Sequence, residues 1–252
     1  MTKGTNDRLT GLLKELHLKE ISEIYESEAE KAAKTKLSFI GYLANLIEAE
    51  ILSKTDRSIN RKISLAKFPK IATLEEFDFG FQPSINEPYV RELANLGFLE
   101  KKENIILSGP PGVGKTHLAI ALGIKACVTK YRVLFYSAQD LMDILYHSLL
   151  DNTLTEKIES LARIHLLIID ELGYMPVNKE KANLFFQLIS RKYETGSVIL
   201  TTNMPFDQWD QVFGDHIISS AILDRLAHHC HIFNINGNSY RMKERLEQVE
   251  RP

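Results

Sequence analysis

The chain of 252 residues has only two cysteines, Cys127 and Cys230, and a single tryptophan. Two cysteines so far apart in sequence offer neither a disulfide framework nor a metal-ligand spacing, and they fit a reducing cytosol. No apolar run approaches the roughly 20 residues that span a bilayer, so no membrane partner is expected. The opening stretch, MTKGTNDRLT, lacks the apolar core of a secretion signal, and a cytoplasmic location is expected. Neither sign of charge is in excess. With 31 basic and 33 acidic residues the formal net charge is -2, so contact with nucleic acid must use a local patch. Internal repeats and low-complexity segments are absent. What remains, 44% hydrophobic and 25% charged residues, is the composition of a globular protein long enough to bury a sizeable core.

The chain reads as three zones. From Arg8 to about Leu52 the pattern is helical: Leu9, Leu12, Leu13 and Leu16, then Ile21, Ile24 and Tyr25, recur at three- and four-residue steps. A further helix is expected after Ser38 as N-cap, carrying Phe39, Leu43, Leu46, Ile47 and Ile51 on one face. Short helices of this kind must pack on themselves, on a copy or on a partner. Lys54 to Lys70 then holds six basic residues against one acid, Asp56, which reads either as a solvated helix face or as a contact to a phosphate backbone. The stretch ATLEEFDFGFQPSINEP looks like a linker: Thr73 and Glu76 fit a capping box, and Gly80, Pro83 and Pro88 punctuate it. The domains expected are therefore a helical N-terminal domain over 1–70, a linker over 71–88 and a third domain over 89–252.

In that third domain five short apolar runs, NIILS, RVLFYS, HLLIID, SVILTTN and HIFNI, alternate with helical stretches. The alternation predicts an α/β fold, a parallel five-stranded sheet sandwiched by helices. Between the first run and its helix lies a full G-x-x-x-x-G-K-[ST] motif: Gly109, Pro110, Pro111, Gly112, Val113, Gly114, Lys115 and Thr116, followed by His117. Glycines allow successive backbone N–H groups to converge on phosphates, and the helix that follows adds the positive end of its dipole. The motif assigns Lys115 to the β- and γ-phosphates and the Thr116 hydroxyl to Mg²⁺.

The remaining parts of a hydrolytic site are sought at the ends of other strands. Leu166 to Ile169 ends in Asp170 and Glu171, and adjacent acids leaving a buried strand are costly to desolvate without a task. Asp170 suits the Mg²⁺ shell, and Glu171 suits the base that polarises the attacking water. SVILTTN ends in Asn203, an amide able to hold that water or to read the γ-phosphate, although Asn-Met-Pro is also an ordinary turn.

With these residues in view, the chain resembles the AAA+ ATPases of the initiator and helicase-loader branch. Within that branch it is similar to the IstB family, ATP-binding helpers of insertion-sequence transposition, over nearly its whole length. The segments LSFIGYLANLIEAE, ATLEEFDF, ENIILSGPPGVGKTHLA, YRVLFYSAQDLMDIL, LLIIDELGYMP and AILDRLAHHCHIFNINGNSYR carry the likeness. The resemblance implies an ATPase that forms an ATP-dependent homo-oligomer on double-stranded DNA, remodels the target and recruits or stimulates a transposase. It implies that Arg225, in ILDRLAHH, acts as an arginine finger on the nucleotide of a neighbouring subunit, and that Arg241, in NSYR, senses nucleotide in its own. Residues 242 to 252 are too few for the separate helical lid of ordinary AAA+ proteins, so a neighbouring subunit is the natural cover. The alternative within the same branch is a DnaC-like loader of a replicative helicase.

Ser137 to His165 exceeds one crossover helix. The resemblance makes it the extra, DNA-facing helix of initiators, while the residues alone fit equally two packed helices joined by a polar turn at Asp151 to Thr153. DNA contacts are expected at Lys157 and Arg163 and around Arg57, Arg61 and Lys62. His228, His229, Cys230 and His231 are nearly contiguous and have no partner pair at zinc-site spacing, so they read as a helix end and a strand start. Trp209 reads as a packing residue. Phe77, Phe79 and Phe81 either line a base pocket or pack the linker.

Overall fold

The computed structural model describes residues 3–173 and 177–243. Tyr174 to Pro176 of the LLIIDELGYMP segment and residues 244–252 of the expected third domain lie outside the described residues. Two compact units divide the chain, Met1–Arg61 and Lys62–Pro252.

The first unit contains α1 (Lys3–Glu15), α2 (Lys19–Thr35) and most of α3 (Phe39–Leu65). Leu13, Ile21, Tyr25 and Leu46 form its core. The Ser38 hydroxyl accepts the Gly41 N–H at 3.1 Å, the N-cap expected from sequence. Nothing on Leu18 caps α2; instead the buried carboxylate of Glu50, from α3, accepts the Ile21 N–H at 3.0 Å. Arg57 pairs with that same carboxylate at 3.1 Å, which offsets the cost of burying it. Of the apolar positions expected on one face of α3, Leu46 is buried, while Phe39, Leu43, Ile47 and Ile51 are exposed. The helix also runs on without a break through the basic stretch to Leu65, because Lys54 to Leu65 contains no glycine or proline to stop it.

In the second unit β1 (Asn104–Ser108), β2 (Val133–Ser137), β3 (Leu166–Leu172), β4 (Ser197–Thr202) and β5 (Cys230–Asn234) form one parallel sheet in the order β2-β3-β4-β1-β5. All five correspond to the apolar runs of the sequence. Alternate residues face opposite layers, as the pleat requires. Ile105, Leu107, Leu166, Ile168, Ile199 and Phe233 join the core on one face, packed by α6 (Lys115–Val128), α4 (Glu87–Leu93), α5 (Gly97–Glu100) and the linker. Ile106, Leu167, Ile169, Val198 and Leu200 join the other, under α7 (Ala138–Leu150), α8 (Leu154–Ala162), α9 (Lys179–Lys192), α10 (Trp209–Phe213) and α11 (His216–Ala227). Trp209 is buried there between Phe206 and Phe213.

Ser137 to His165 is thus two helices joined at Asp151 to Thr153, α7 packed on β2 and β3 and α8 packed on α7 and α9. The edge strand β2 is protected, since the Phe135 N–H donates to the Ala66 carbonyl at 2.8 Å. Lys192, at the end of α9, is 1% exposed and donates to the Ile164 carbonyl. Burial lowers its pKa to about 8, with Arg132 adding to the effect. No helix of the described residues is long and apolar enough to cross a membrane.

Candidate functional site

The sheet register brings the candidate residues together. Ser108 at the end of β1 pairs with Thr202 of β4, and Ser137 of β2 pairs with Asp170 of β3. The carboxyl ends of β1, β3 and β4 therefore open on one side, where open α/β sheets hold their ligands. The loop from Gly109 to Gly114 leads there directly into α6.

Two of the loop's glycines bring it against flanking segments. Gly114 has φ +99, and a Cβ on it would stand 2.5 Å from the Phe77 ring. Gly112 has φ +83, and a Cβ would stand 2.1 Å from the Ser239 hydroxyl. The loop is thus clamped from one side by the linker and from the other by the segment after β5, whose Tyr240 N–H donates to the Gly112 carbonyl at 2.9 Å. Lys115 Nζ donates to the carbonyls of Gly109 and Pro110, at 2.7 and 2.8 Å. Burial, reinforced by Arg241, holds the Lys115 pKa below the usual lysine range, against an upward pull from Asp170 and Glu171. Two cationic side chains held at one cavity call for an anion.

Asp170 is buried and receives three hydroxyl contacts. Thr116 Oγ1 donates to its two carboxylate oxygens at 2.9 and 3.1 Å, and Thr201 Oγ1 donates at 2.5 Å. Thr201 also accepts the Glu171 N–H at 2.9 Å. That bond accompanies an irregular register between Ile169 and Leu172 and a left-handed Glu171 at φ 61. A non-glycine residue in that region carries strain, of the kind that collects at functional sites. The consequence is that β3 continues to Leu172 while Glu171 is turned out, exposed at the cavity mouth.

The cavity has a volume of about 420 Å³. Pro111, Gly112, Val113, Gly114, Lys115, Thr116, His117, Glu171, Asn203 and Arg241 all line it, as do Ile71, Phe77 and Gln82. Asn203 Oδ1 is buried there with no partner among the described residues, a polar atom that awaits a donor. The donor set fits a hard divalent cation: a hydroxyl and a carboxylate, both oxygen ligands, already meet at hydrogen-bond distance. Linker residues thus cover one side of the cavity from within the same chain. His117 Nε2 lies 2.7 Å from the Thr73 carbonyl, and Phe77 packs edge-on to the His117 ring. Phe79 packs on Phe77, and Phe81 on Tyr240. The Thr73 N–H does bond Glu76, at 2.9 Å, but a turn rather than a helix follows.

Arg225 is not in this cavity. It sits near the end of α11, half-buried, with its guanidinium over the Phe186 ring at 4.8 Å and donating to the Ala221 carbonyl at 2.9 Å. The residue that follows it, Leu226, is bonded to Asn104 at the start of β1. The expected DNA residues are dispersed along the chain. Arg57 is committed to Glu50, Arg61 is exposed, and half-buried Lys62 donates to the Lys130 carbonyl. Lys157 is half-buried on α8, and Arg163, the exposed C-cap of α8, has its carbonyl held by Arg132 at 2.6 Å. Sequence reasoning did not single out Thr201 or Gln82; a threonine beside another at a strand end was the one signal available for Thr201.

A P-loop after β1, an acid pair on β3 two strands away and an amide just past the end of the intervening β4 define a nucleotide-binding protein of the AAA+ class. The family model described as IstB-like ATP binding protein matches residues 11–248, and the chain belongs to that family of ATP-binding proteins. It is 46% identical to the ATP-binding protein of insertion sequence IS21 from Pseudomonas aeruginosa, over 93% of this chain and 88% of that one. Among solved structures it is similar to AMPPCP-bound DnaA from Aquifex aeolicus, with a TM-score of 0.55 and 24% identity over 72% of this chain and 56% of that one. The DnaC helicase loader gives a TM-score of 0.51 and 22% identity, over 59% and 87%. The last two likenesses are of fold.

Proposed function

We propose that this chain is an Mg²⁺-dependent ATPase that assembles on double-stranded DNA, remodels it, and recruits or stimulates the transposase of its insertion sequence. The observation that carries the reading is the turning out of Glu171. Its backbone is bonded to Thr201, and its carboxylate stands at the mouth of a cavity that also holds Lys115, Arg241 and the unpartnered Asn203 amide oxygen.

In this reading the backbone N–H groups of the glycine-rich loop and the α6 N-terminus cradle the phosphates, and Lys115 exchanges its two carbonyl partners for phosphate oxygens. Thr116 and Asp170 hold Mg²⁺, which neutralises charge on the transferred phosphoryl group. Glu171 takes the proton of the attacking water while Asn203 orients it. Arg241 contacts nucleotide in its own subunit. Arg225, tied near the amino-terminal end of β1, serves the nucleotide of a neighbouring copy, so hydrolysis depends on assembly. Nucleotide then acts as the link between subunits, and its hydrolysis limits how long the assembly lasts. Arg57, Arg61, Lys62, Lys157 and Arg163 provide phosphate contacts that position rather than specify. The membership in an insertion-sequence family supports the transposase as partner.

A binding assay at fixed salt with duplex and single-stranded DNA tests this reading. ATP-dependent binding with duplex preferred, and stimulation of strand transfer by the transposase, are expected. A preference for single strands, with no effect on the transposase, would instead make the chain a helicase loader.

A further inference from the structure

The corner of the second unit that carries Arg225 also holds three potential metal ligands from two distant parts of the chain. His228 is the C-cap of α11 and His229 follows it. Glu194 follows Tyr193, the C-cap of α9, and is held in the left-handed region at φ 58. One ligand atom from each of the three lies within 4.8 Å of the others, and all three residues are exposed. The two imidazole rings lie 4.1 Å apart, centre to centre. Spacing along the chain offers the adjacent histidines no partner; the contact between α9 and α11 supplies one, 34 positions earlier in the chain than His228.

We propose that Glu194, His228 and His229 bind one divalent transition-metal ion of the zinc class. Two imidazoles and a carboxylate are a recurrent zinc donor set, with water as the fourth ligand. Ligand atoms about 2.0–2.2 Å from a tetrahedral ion stand somewhat closer together than the present spacing, a change that exposed side chains make by rotation alone. The Tyr193 hydroxyl, 2.9 Å from His228 Nδ1, adds the outer partner that a ligating histidine needs. With Nδ1–H donated to that oxygen, Nε2 is left as the lone pair for the ion. The bound ion ties the end of α9 to the end of α11 and fixes the corner from which Arg225 projects. The site stands independently of the role proposed for Arg225.

The test uses the untagged full chain and zinc alone, titrated against a chromogenic chelator, with thermal unfolding followed in parallel. The wild type is expected to bind one zinc per chain and to melt at higher temperature when loaded. Glu194→Gln and His229→Ala should each weaken binding at least about tenfold and abolish the thermal shift. His231→Ala, whose ring pairs instead with Glu103 at 2.9 Å, should leave both unchanged. The absence of saturable zinc binding by the wild type, or binding of equal strength in Glu194→Gln and His229→Ala, would overturn the proposal.

Discussion

The Asn104 side-chain amide donates a hydrogen bond to the Leu226 carbonyl at 3.0 Å, fixing the residue after Arg225 to the first residue of β1. The phosphate-binding loop leaves β1 at its other end, after Ser108. A strand rises about 3.3 Å per residue, so Arg225 is tied to a point about 16 Å from the start of that loop. The bond itself is buried, and the same Asn104 accepts the Val198 N–H at 2.9 Å. Arg225 is thereby anchored near the amino-terminal end of β1, outside the cavity that contains Lys115. In the proposed arrangement an arginine in that position serves a second copy.

Lys115→Ala should abolish ATP-dependent assembly without unfolding the protein. Among the described residues the ammonium donates only to two loop carbonyls, so its removal costs the fold little, while the loss of a charge-assisted phosphate contact should weaken nucleotide binding about 10- to 100-fold. Titration with a fluorescent ATP analogue and a melting curve measure the two effects separately.

Glu171→Gln should bind ATP normally and hydrolyse it about 10²- to 10⁴-fold more slowly, leaving a long-lived assembly on DNA. Turnover at the wild-type rate would remove Glu171 from the role of base.

Gly114→Ala should weaken ATP binding because its Cβ meets Phe77 at 2.5 Å and the backbone lies at φ +99. Phe77→Ala in the same chain removes the collision but not the backbone strain, costed at about 1–3 kcal/mol. Part of the affinity should therefore return in the double variant. Identical affinities for Gly114→Ala with and without Phe77 would show that the linker does not press on the loop.

Lys192→Met should alter the pH dependence of stability. The folded pKa of Lys192 is about 8, below its ordinary 10.5, so at pH 7 both states carry the proton and the burial penalty is fully present. As pH rises from 8 to 10.5 the unfolded chain binds more protons than the folded one, and the wild type gains stability. Urea unfolding at about pH 7.5 and 9.5 should show a gain larger in the wild type than in Lys192→Met by about 2 kcal/mol.

The fold was legible where both faces of an element are buried or where a motif dictates the backbone. Ile105 to Leu107 and Leu166 to Ile169 have no exposed face, so they appear in the sequence as unbroken apolar runs. Lys115 and Thr116 follow from their glycines. Legibility failed where a long-range contact decides the outcome. The turn at Glu171 depends on a hydroxyl 30 positions away, on Thr201. Burial of Lys192 depends on the Ile164 carbonyl, and the position of Glu194 beside His228 depends on how α9 meets α11. The exposed apolar side of α3 has the same spacing as a buried one, and periodicity alone does not distinguish them.

The central claim, that each site is completed by Arg225 of another copy, is tested most directly by mixing two inactive proteins on duplex DNA. Arg225→Ala retains Glu171 but offers no finger, and Glu171→Gln retains the finger but no base. Each alone should bind ATP and hydrolyse it poorly, and the mixture should recover a measurable rate that rises with the proportion of mixed contacts. Wild-type hydrolysis by Arg225→Ala alone, or no recovery at any ratio in assemblies shown to contain both proteins, would contradict the account.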